Sequence, residues 1–384
     1  MSEVNIPKCI VLQRVIPAYR VAVFRRLSSS LSLDISFAIG EDLKESKARN
    51  AADLAGIQFI RLTAYSLNLF GRDLTVHRGL IRHLRDSKPD IILCEAESHF
   101  LAYWTAIVFK IIFSQRTKLV MWCFYGLPGV KRDRTFLHAA IKSVGRFFFN
   151  SFVSYTTYGK NYLIAKGYGE QRIHVAVNVC DTSYFLELDY KLNLSKEQAK
   201  DEVGAKGKFV VSYVGTLDES KRPGLILDIS KILDGEDFHF QIVGEGPLKK
   251  VLTKRVLDEG LTSVRLVGRV SERLPLYYRS SDLVILPGRG GVVISESMCF
   301  GVPVIVHQAD GVESDLVING VTGIISESGS ADVFCSHLRN LKLRSDILSQ
   351  MGKNARVLIS EKFNTEAMFH SIVKALGRAV RLEL

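Results

Sequence analysis

Short β-rich runs alternate with amphipathic helical stretches along most of the chain. This alternation is typical of parallel α/β sheets, because two neighbouring parallel strands need a crossover connection that is usually a helix. In the first half we expect helices over stretches such as Arg20–Leu31, His77–Asp86 and Phe136–Phe148. The strands expected around them are Cys9–Gln13, Asp34–Ala38, Gln58–Leu62, Asp90–Cys94, Lys118–Cys123, Phe152–Tyr155 and His174–Val177.

The alternation starts again after a polar segment, Asp181–Lys208, which we interpret as a domain linker with a lead-in helix. The pattern predicts the α/β class, with two Rossmann-like domains that face each other across a cleft. We expect an N-terminal domain over residues 1–185, a C-terminal domain over 186–365, and a helix over 366–384 that packs back toward the first domain. The strands expected in the second half are Phe209–Val214, His239–Val243, Ser263–Val267, Leu283–Leu286 and Val304–Val306.

Length and cysteine usage limit the class of protein. A chain of 384 residues suits two domains, and a hydrophobic content of 47% suits folded domains rather than disorder. The six cysteines never show Cys-x-x-Cys spacing, which argues against structural zinc and fits a reducing cytosol. No secretory signal is visible, and the apolar stretch Phe100–Phe113 is too short to span a bilayer. We therefore expect a cytoplasmic protein.

The positive charge is concentrated in the first half of the chain. The formal net charge is +11. Residues 1–190 carry 25 Lys and Arg against 16 Asp and Glu, so the remaining residues have an excess of only two. This imbalance indicates that the first half contacts an extended anionic surface. We set nucleic acid aside as a partner, because no recognisable nucleic-acid module accompanies the charge.

Two glycine-containing turns follow strands of the second half. Gly215 ends one strand, and Lys221 lies where it could reach a diphosphate, although a solvated lysine at a helix start is equally compatible. The next strand is followed by Gly244-Glu245-Gly246-Pro247, in which proline suits a first helical turn. Because no third glycine follows at dinucleotide spacing, this turn alone is a weak sign of a ligand.

A more specific pattern follows the strand Leu283–Leu286. The loop 287–291, Pro-Gly-Arg-Gly-Gly, leads directly into a helix that carries Glu296. Backbone N–H groups at a helix N-terminus favour an anion such as phosphate. Glu296 lies about one turn further in, where a carboxylate would accept hydrogen bonds from vicinal hydroxyls such as those of a ribose. The pattern therefore indicates a nucleotide-sugar site.

The order of these motifs resembles the C-terminal domain of the family 4 glycosyltransferases, which are retaining enzymes of the GT-B fold. Residues Gln13–Arg20 resemble the opening loop of the branch that builds bacterial surface polysaccharides of the O-antigen and capsule type, and Asn178–Thr182 resembles the family's Asn-Gly-Val-Asp segment. The motifs that carry the resemblance are Gly215 with Lys221, Gly244–Pro247, Gly268, Glu296 with Gly301-Val302-Pro303, and Gly320–Gly323.

The resemblance implies roles for particular residues. Lys221 would bind the donor diphosphate, Glu296 would bind the ribose, and no metal or other cofactor would be needed. The main chain around Arg269 and Val270 would face the base. The other donor-binding residues that it implies are Gly215, Thr216, Gly244, Gly246, Arg289, Gly290, Gly291 and Val292.

The sequence departs from the family pattern at three positions. Thr216 stands where the family usually has arginine, so one diphosphate cation is missing unless Arg222 or Arg289 replaces it. Gly288 stands where the first of two paired glutamates is usual, and Tyr125 falls near the place of a frequent histidine. These departures bear on sugar specificity and rate more than on the fold.

The acceptor side is expected in the first half. Glu95 and Glu97 follow a buried strand, and Glu97 would orient an acceptor hydroxyl, although both acids could equally be exposed loop residues. Between Lys131 and Phe149 basic and aromatic residues share one stretch, which suits an anionic membrane surface or, alternatively, an ordinary core helix. We therefore expect a lipid-linked saccharide acceptor and peripheral association with the inner face of the plasma membrane.

Taken with the resemblance, these expectations describe a metal-independent, retaining hexosyltransferase of cell-surface polysaccharide or lipopolysaccharide synthesis, with Lys221, Glu97 and Tyr125 as catalytic residues. Two alternatives remain open. A sugar-nucleotide epimerase of the same fold would act without an acceptor. A non-catalytic partner subunit would fit a donor site weakened at Thr216 and Gly288.

Overall fold

The computed structural model describes residues 6–43, 49–69, 72–96, 100–123, 143–307 and 311–382. The chain forms two compact units, one comprising Met1–Val177 with Thr365–Leu384 and the other Asn178–Asn364. The chain thus passes from one unit to the other after Val177, before the boundary expected at residues 185–186.

Each unit has its own set of strands and helices. In the first unit the strands are β1 (Lys8–Gln13), β2 (Asp34–Gly40), β3 (Phe59–Leu62), β4 (Ala64–Leu69), β5 (Arg72–His77), β6 (Ile91–Glu95), β7 (Lys118–Cys123), β8 (Ser151–Ser154) and β9 (Ile173–Val175). In the second unit they are β10 (Phe209–Val214), β11 (Phe238–Val243), β12 (Val264–Gly268), β13 (Leu283–Leu286), β14 (Val304–His307) and β15 (Gly323–Ser326). The helices of the first unit are α1 (Val21–Ser28), α2 (Leu80–Ser87), α3 (Ala102–Ile112), α4 (143–148) and α5 (Thr157–Ala165). Those of the second unit are α6 (Thr182–Leu192), α7 (Lys196–Glu202), α8 (Gly224–Ile232), α9 (Lys249–Asp258), α10 (Leu274–Ser280), α11 (Val293–Cys299), α12 (Glu313–Leu316), α13 (Ala331–Lys342) and α14 (Ser345–Glu361). The chain then returns to the first unit in α15 (Thr365–Val380).

Both units are built on a parallel sheet. The first sheet has the order β3-β2-β1-β6-β7-β8-β9, and the second has the order β12-β11-β10-β13-β14-β15. In each sheet the strand order reverses beside the first strand, between β1 and β6 and between β10 and β13. Ligands of such sheets usually bind outside the C-terminal ends of the strands at this reversal. The predicted α/β class with two Rossmann-like sheets is therefore confirmed.

Apolar side chains are buried on both faces of the first sheet. One face packs Trp122 against Phe24 of α1 and Leu376 of α15, and the other packs Phe152 with Tyr103 of α3. Burial on both faces explains why the strands read as nearly continuous apolar runs rather than as alternating ones. The helix α15 contributes a large part of this core, as expected for a terminal helix that packs back on the first domain.

Several local expectations differ from the structure. The polar segment expected as a linker with one lead-in helix forms two helices, α6 and α7. Helix α7 begins with a capping box in which Ser195 N donates to Gln198 Oε1 at 2.9 Å. The antiparallel hairpin β4–β5 and the short strand β15 were not expected. The helix expected from His77 begins at Leu80, because His77 ends β5. Of the helix expected over Phe136–Phe148, only 143–148 lies within the described residues.

Candidate functional site

The loops that follow β10, β11 and β12 are tied together at the C-terminal edge of the second sheet. Gly215 N donates to the Val243 carbonyl at 2.9 Å, and Gly244 N donates to the Gly268 carbonyl at 2.8 Å. Leu217 N donates to the Glu245 carbonyl at 3.0 Å. These backbone bonds hold the two glycine-containing turns against each other, so the residues that sequence reasoning treated as separate motifs form one surface.

The glycines of this surface are required by close backbone contact. Gly215 and Gly244 have φ angles of +148° and +151°, which side-chain-bearing residues rarely adopt. A Cβ at Gly244 would lie 1.8 Å from the Gly215 carbonyl oxygen, and one at Gly246 would lie 2.4 Å from the Leu217 carbonyl oxygen. The following helix α9 begins at Lys249, so the expectation that Pro247 occupies a first helical turn was wrong.

Lys221 is brought to the glycine-rich loop that follows β13. It ends a single 3₁₀ turn, Glu219–Lys221, whose first residues are capped by Asp218 through a 3.0 Å bond from Ser220 N. Lys221 Nζ donates to the carbonyl of Arg289 at 2.7 Å. The ammonium group is thereby placed beside the loop 287–291, as the hypothesis of a diphosphate site requires.

The contact between these two segments also accounts for Gly288. A Cβ at Gly288 would lie 2.5 Å from the Ser220 carbonyl oxygen and 2.7 Å from the Lys221 Cα atom. Both neighbours are backbone atoms, so no side-chain rotation can relieve the overlap. The glutamate that is usual in the resembling family cannot occupy this backbone arrangement unless Ser220 and Lys221 move.

Glu296 lies in the first turn of α11 and is partly buried. Its Oε2 accepts a 2.7 Å hydrogen bond from the Tyr278 hydroxyl. Burial raises the pKa of Glu296 above its usual range, whereas the hydrogen bond from Tyr278 and the charge of Lys221 oppose that rise. Tyr278 itself is fully buried and was not found by sequence reasoning, because no motif distinguishes it from other core tyrosines.

The segment Asn178–Thr182 is attached to the helix that carries Glu296. Cys180 N donates to Ser295 Oγ at 2.9 Å, and Ser295 Oγ itself donates to the Val292 carbonyl at 2.7 Å. This segment therefore belongs to the second unit and fixes the first turn of α11. Ser295 is a further residue of the site that sequence reasoning missed, since its role depends on a partner 115 positions away.

The two arginines considered as replacements for a cation at Thr216 differ in their surroundings. Arg222 adopts φ +54°, and its guanidinium donates to the carbonyls of Gly329 at 2.8 Å and Pro287 at 3.4 Å. It therefore braces neighbouring loops. Arg289 is exposed at the tip of its loop, and Thr216 is exposed beside Gly215. Arg222 is exposed as well, so exposure does not separate the two arginines; the difference is that the guanidinium of Arg222 is bonded to the carbonyls of neighbouring loops.

The remaining predicted donor residues flank the same edge. Arg269 is exposed and Val270 partly buried, directly after Gly268 at the end of β12. Gly290 packs against Ile294, with 2.9 Å from its ideal Cβ position to the Ile294 side chain, and Gly291 has φ +59°. Val292 is the N-cap residue of α11 and has helical backbone angles.

Only some of the residues expected on the acceptor side lie within the described ranges. Glu97, Tyr125 and the basic and aromatic residues between 131 and 142 lie outside the described residues. Glu95 is buried and forms an ion pair with Arg20, which also donates to Gln13 Oε1 at 2.9 Å. Glu95 is thus not an exposed loop acid, and it holds the C-terminal ends of β1 and β6 together. Among the described residues, no three His, Cys, Asp or Glu side chains are grouped as metal ligands would be.

The sequence matches known proteins most clearly in the second unit. Residues 195–358 match the family model described as glycosyl transferases group 1. An uncharacterised glycosyltransferase of Methanocaldococcus jannaschii is 26% identical over 158 residues, which cover 40% of this chain and 44% of that protein. The capsular polysaccharide biosynthesis glycosyltransferase CapM of Staphylococcus aureus is 25% identical over 194 residues, covering 48% and 50%. The chain therefore spans about half or less of the length of these two relatives.

Other similarities extend over most of the chain. An uncharacterised 41.2 kDa protein in the cps region of Klebsiella pneumoniae is 21% identical over 303 residues, which cover 77% of this chain and 80% of that protein. The structure of Anabaena HepE in complex with UDP superposes with a TM-score of 0.74 at 16% identity, covering 97% and 99% of the two chains. The lipopolysaccharide outer core galactosyltransferase WaaB superposes with a TM-score of 0.70 at 16% identity, covering 96% and 99%. At these identities the likeness shows the fold, which is the predicted GT-B fold.

Proposed function

We propose that this chain, whose residues 195–358 match the family model described as glycosyl transferases group 1, moves a hexose-type sugar from a nucleotide-sugar donor to a saccharide acceptor. The observation that carries the proposal is the meeting of Lys221, the loop 287–291 and Glu296 at one sheet edge. Lys221 Nζ bonds the Arg289 carbonyl at 2.7 Å, and its charge acts on the Glu296 carboxylate. A cation for a diphosphate and a carboxylate for hydroxyl groups thus lie side by side.

The donor roles follow from the chemistry of these groups. Lys221 and the backbone N–H groups of Gly290, Gly291 and Val292 would bind the diphosphate, because ammonium and helix-start amides both favour anions. Glu296, held by Tyr278, would accept hydrogen bonds from the ribose hydroxyls. The structures of HepE with UDP and with UDP-glucose, in a chain of the same fold, support a nucleotide-sugar donor here.

Catalysis would rest on stabilising the departing nucleoside diphosphate and on positioning the acceptor hydroxyl. Lys221 and the amides of the 287–291 loop would stabilise the negative charge that develops on the diphosphate. We propose front-face displacement with retention at the anomeric carbon and without a bound metal ion. Glu97 and Tyr125 stay proposals for the acceptor side.

The proposal is tested by a transfer assay with the full chain, a panel of nucleotide sugars and a saccharide acceptor linked to a polyprenyl diphosphate. Anomeric configuration is read by NMR, and we expect it to match that of the donor sugar. Lys221→Ala should slow transfer by about 10- to 100-fold, since a charge-assisted hydrogen bond contributes about 1.5–3 kcal/mol.

Lys254→Ala is the matched control, because Lys254 is an exposed lysine of α9 away from the loops described above. This variant should transfer at the wild-type rate. An inverted anomeric centre would rule out the retaining mechanism. Interconversion of the donor sugar without any acceptor would favour an epimerase, and the absence of both reactions would favour a non-catalytic subunit.

We propose that the acceptor belongs to cell-surface polysaccharide or lipopolysaccharide synthesis. The proposal is supported by the capsular function printed for CapM and the lipopolysaccharide function printed for WaaB. It is also supported by the excess of positive charge in residues 1–190, which suits a lipid-linked, diphosphate-bearing acceptor at an anionic surface. The protein would then act at the inner face of the plasma membrane.

An exposed apolar patch on the first unit supports this peripheral membrane association. The end of α3 exposes Ile111, Ile112 and Phe113, with Ile112 66% exposed, and the Arg85 guanidinium lies 5.2 Å from the centre of the Phe113 ring. Phe147 on α4 is 78% exposed. Apolar side chains beside arginine suit the boundary between lipid headgroups and acyl chains. Within the described ranges, no helix is long and apolar enough to cross a bilayer.

Vesicle flotation tests the patch. With vesicles that contain phosphatidylglycerol, replacing Ile111 and Ile112 by serine should lower the bound fraction by about tenfold, because two apolar side chains lose their burial in lipid. Leu257→Ser is the matched control, since Leu257 is 75% exposed on α9 of the second unit. Equal binding by the double variant and the control would contradict membrane association through this patch.

A further inference from the structure

A second concave site lies at the edge of the second sheet opposite the loops described above. It is a cavity of about 580 Å³ lined by residues that directly precede strands, among them Lys208 before β10, Asp282 before β13 and Pro303 before β14. The donor loops follow the C-terminal ends of these strands, whereas this cavity lies at their N-terminal ends. The cavity is therefore distinct from the proposed donor site.

The cavity is strongly basic although its unit is nearly neutral. Of the described residues that line it, seven are Lys or Arg and two are Asp or Glu. Residues 178–364, which form this unit, carry 23 Lys and Arg against 25 Asp and Glu, a formal net charge of −2. The lining of this opening thus carries a local excess of positive charge that the unit as a whole does not have.

The carboxylates near the cavity are too few to neutralise it. Asp282 pairs with Lys200 at 2.8 Å and also with Lys196 at 3.5 Å. Asp189, which is buried behind the cavity wall, pairs with both Arg279 and Arg356. Glu197 also pairs with Lys200 at 3.5 Å, and Asp237 pairs with Lys208 at 2.5 Å. Four carboxylates therefore pair with five of the seven lining cations, which leaves an excess of about three positive charges (seven minus four).

Other details indicate that an anion would be accommodated. Burial lowers the pKa of Lys196, and the nearby positive charges of Lys200 and Arg279 lower it further, against the opposing effect of Asp282. The Nε atom of Arg279 is buried and has no hydrogen-bond partner among the described residues. Lys353 is exposed on α14 at the cavity wall.

The cavity has a closely packed floor. Gly352 of α14 lies against the turn at Gly301, and a Cβ at Gly352 would be 2.1 Å from the Gly301 carbonyl oxygen. Ser345, the first residue of the 17-residue helix α14, also lines the opening, so the positive end of this helix dipole adds to the field of the side chains. The basic groups are thus held on a packed framework of helices and strand ends.

We infer that this cavity is a binding site for a phosphate-bearing ligand that carries at least two negative charges. Lys and Arg side chains with serine hydroxyls and a helix N-terminus are the groups that bind phosphate oxygens. A cavity of this volume is in the range of sites for small organic ligands, which exceeds the size of a lone phosphate ion. The ligand is a phosphorylated small molecule or a phospholipid headgroup, which share this chemistry.

Calorimetric titration of the full chain with inorganic diphosphate tests the site. Lys353→Glu should weaken binding by about tenfold or more, because it removes one cation and adds a like charge. Lys254→Glu makes the same change of charge on an exposed lysine of α9 and should change the dissociation constant by less than about twofold. Because inorganic diphosphate would also enter the proposed donor site, all these titrations are made in the Lys221→Ala background, which weakens that site and should leave the cavity's binding in place.

Vesicle flotation distinguishes a phospholipid headgroup from a soluble phosphorylated molecule as the ligand. If flotation with phosphatidylglycerol vesicles depends on Lys353 and diphosphate competes with it, the ligand is a lipid headgroup. Binding of diphosphate without vesicle binding indicates a soluble phosphorylated ligand. The inference is overturned if neither probe binds, or if Lys353→Glu and Lys353→Ala bind diphosphate as tightly as Lys254→Glu while all three have wild-type melting temperatures.

Discussion

Replacing Gly288 by alanine tests whether the glycine-rich loop and the Lys221 turn are packed backbone against backbone. The added methyl group would lie 2.5 Å from the Ser220 carbonyl oxygen and 2.7 Å from two backbone atoms of Lys221. Because these neighbours are main-chain atoms, either the Lys221 turn or the loop has to shift. The shift would stretch the 2.7 Å bond between Lys221 Nζ and the Arg289 carbonyl.

The size of the effect follows from the overlap. Forcing one extra methyl group into a packed site costs about 1–3 kcal/mol. For a unit of this size, 1 kcal/mol lowers the melting temperature by about 2–4 °C, so we expect a loss of about 2–12 °C. Displacement of Lys221 should also weaken nucleoside diphosphate binding by about tenfold or more, since a charge-assisted hydrogen bond contributes about 1.5–3 kcal/mol.

Differential scanning fluorimetry with and without nucleoside diphosphate measures both effects. Gly224→Ala is the control, because a Cβ at the first residue of α8 would have its nearest neighbour at 3.7 Å and alanine favours helices. This control should match or exceed the wild-type melting temperature. If Gly288→Ala has the wild-type melting temperature and is stabilised by nucleoside diphosphate as much as the wild type, close packing of the two loops does not explain why position 288 lacks the usual glutamate.

Two further predictions concern buried charge, and a third concerns an exposed ion pair. Glu296→Gln should weaken donor binding. Because the pKa of Glu296 is raised in the folded state, the wild type loses stability as the pH rises above 4.5 and Glu296 has to ionise, whereas glutamine does not ionise. The variant should therefore gain stability relative to the wild type over this range, and urea unfolding between pH 4 and 8 measures the difference. Arg20→Ala should lower the unfolding free energy by about 3–5 kcal/mol, since it leaves Glu95 buried without its partner, and chemical denaturation measures this loss. Arg26→Ala, which breaks an exposed ion pair of the same unit, should cost less than about 1 kcal/mol in the same experiment, and equal losses in the two arginine variants would contradict the difference in burial.

The sequence pattern was sufficient for the parallel strands of both sheets, because their apolar runs reflect burial on two faces. The sequence pattern was insufficient for elements whose apolar run is short or interrupted by polar residues. The strand Gly323–Ser326 has four residues and starts with glycine, and the hairpin Ala64–His77 was not recognised as a pair of strands. The polar composition of Asp181–Lys208 predicts a linker with one lead-in helix, whereas the segment forms two helices, and the Ser195–Gln198 capping box is a sequence signal for the start of the second.

The candidate site was predictable where one stretch of sequence contains its parts. Glu296 and the 287–291 loop lie within ten residues of each other, so their spacing could be interpreted directly. Partners distant in sequence could not be found in this way. Tyr278 holds Glu296 from another helix, and Asp189 joins arginines 90 and 167 positions away. Such contacts depend on the folded topology, which composition and periodicity do not specify at the level of side chains.

The central claim is that the loops around Lys221 and Glu296 form the donor site of a glycosyltransferase. Calorimetric titration with a panel of nucleoside diphosphates and their sugar conjugates tests it most directly, using the wild type, Lys221→Ala and the Lys254→Ala control. We predict that at least one nucleoside diphosphate binds to the wild type and to the control, and that Lys221→Ala binds it about tenfold or more weakly. Absence of binding across the panel, or equal affinity in all three proteins, would contradict the claim.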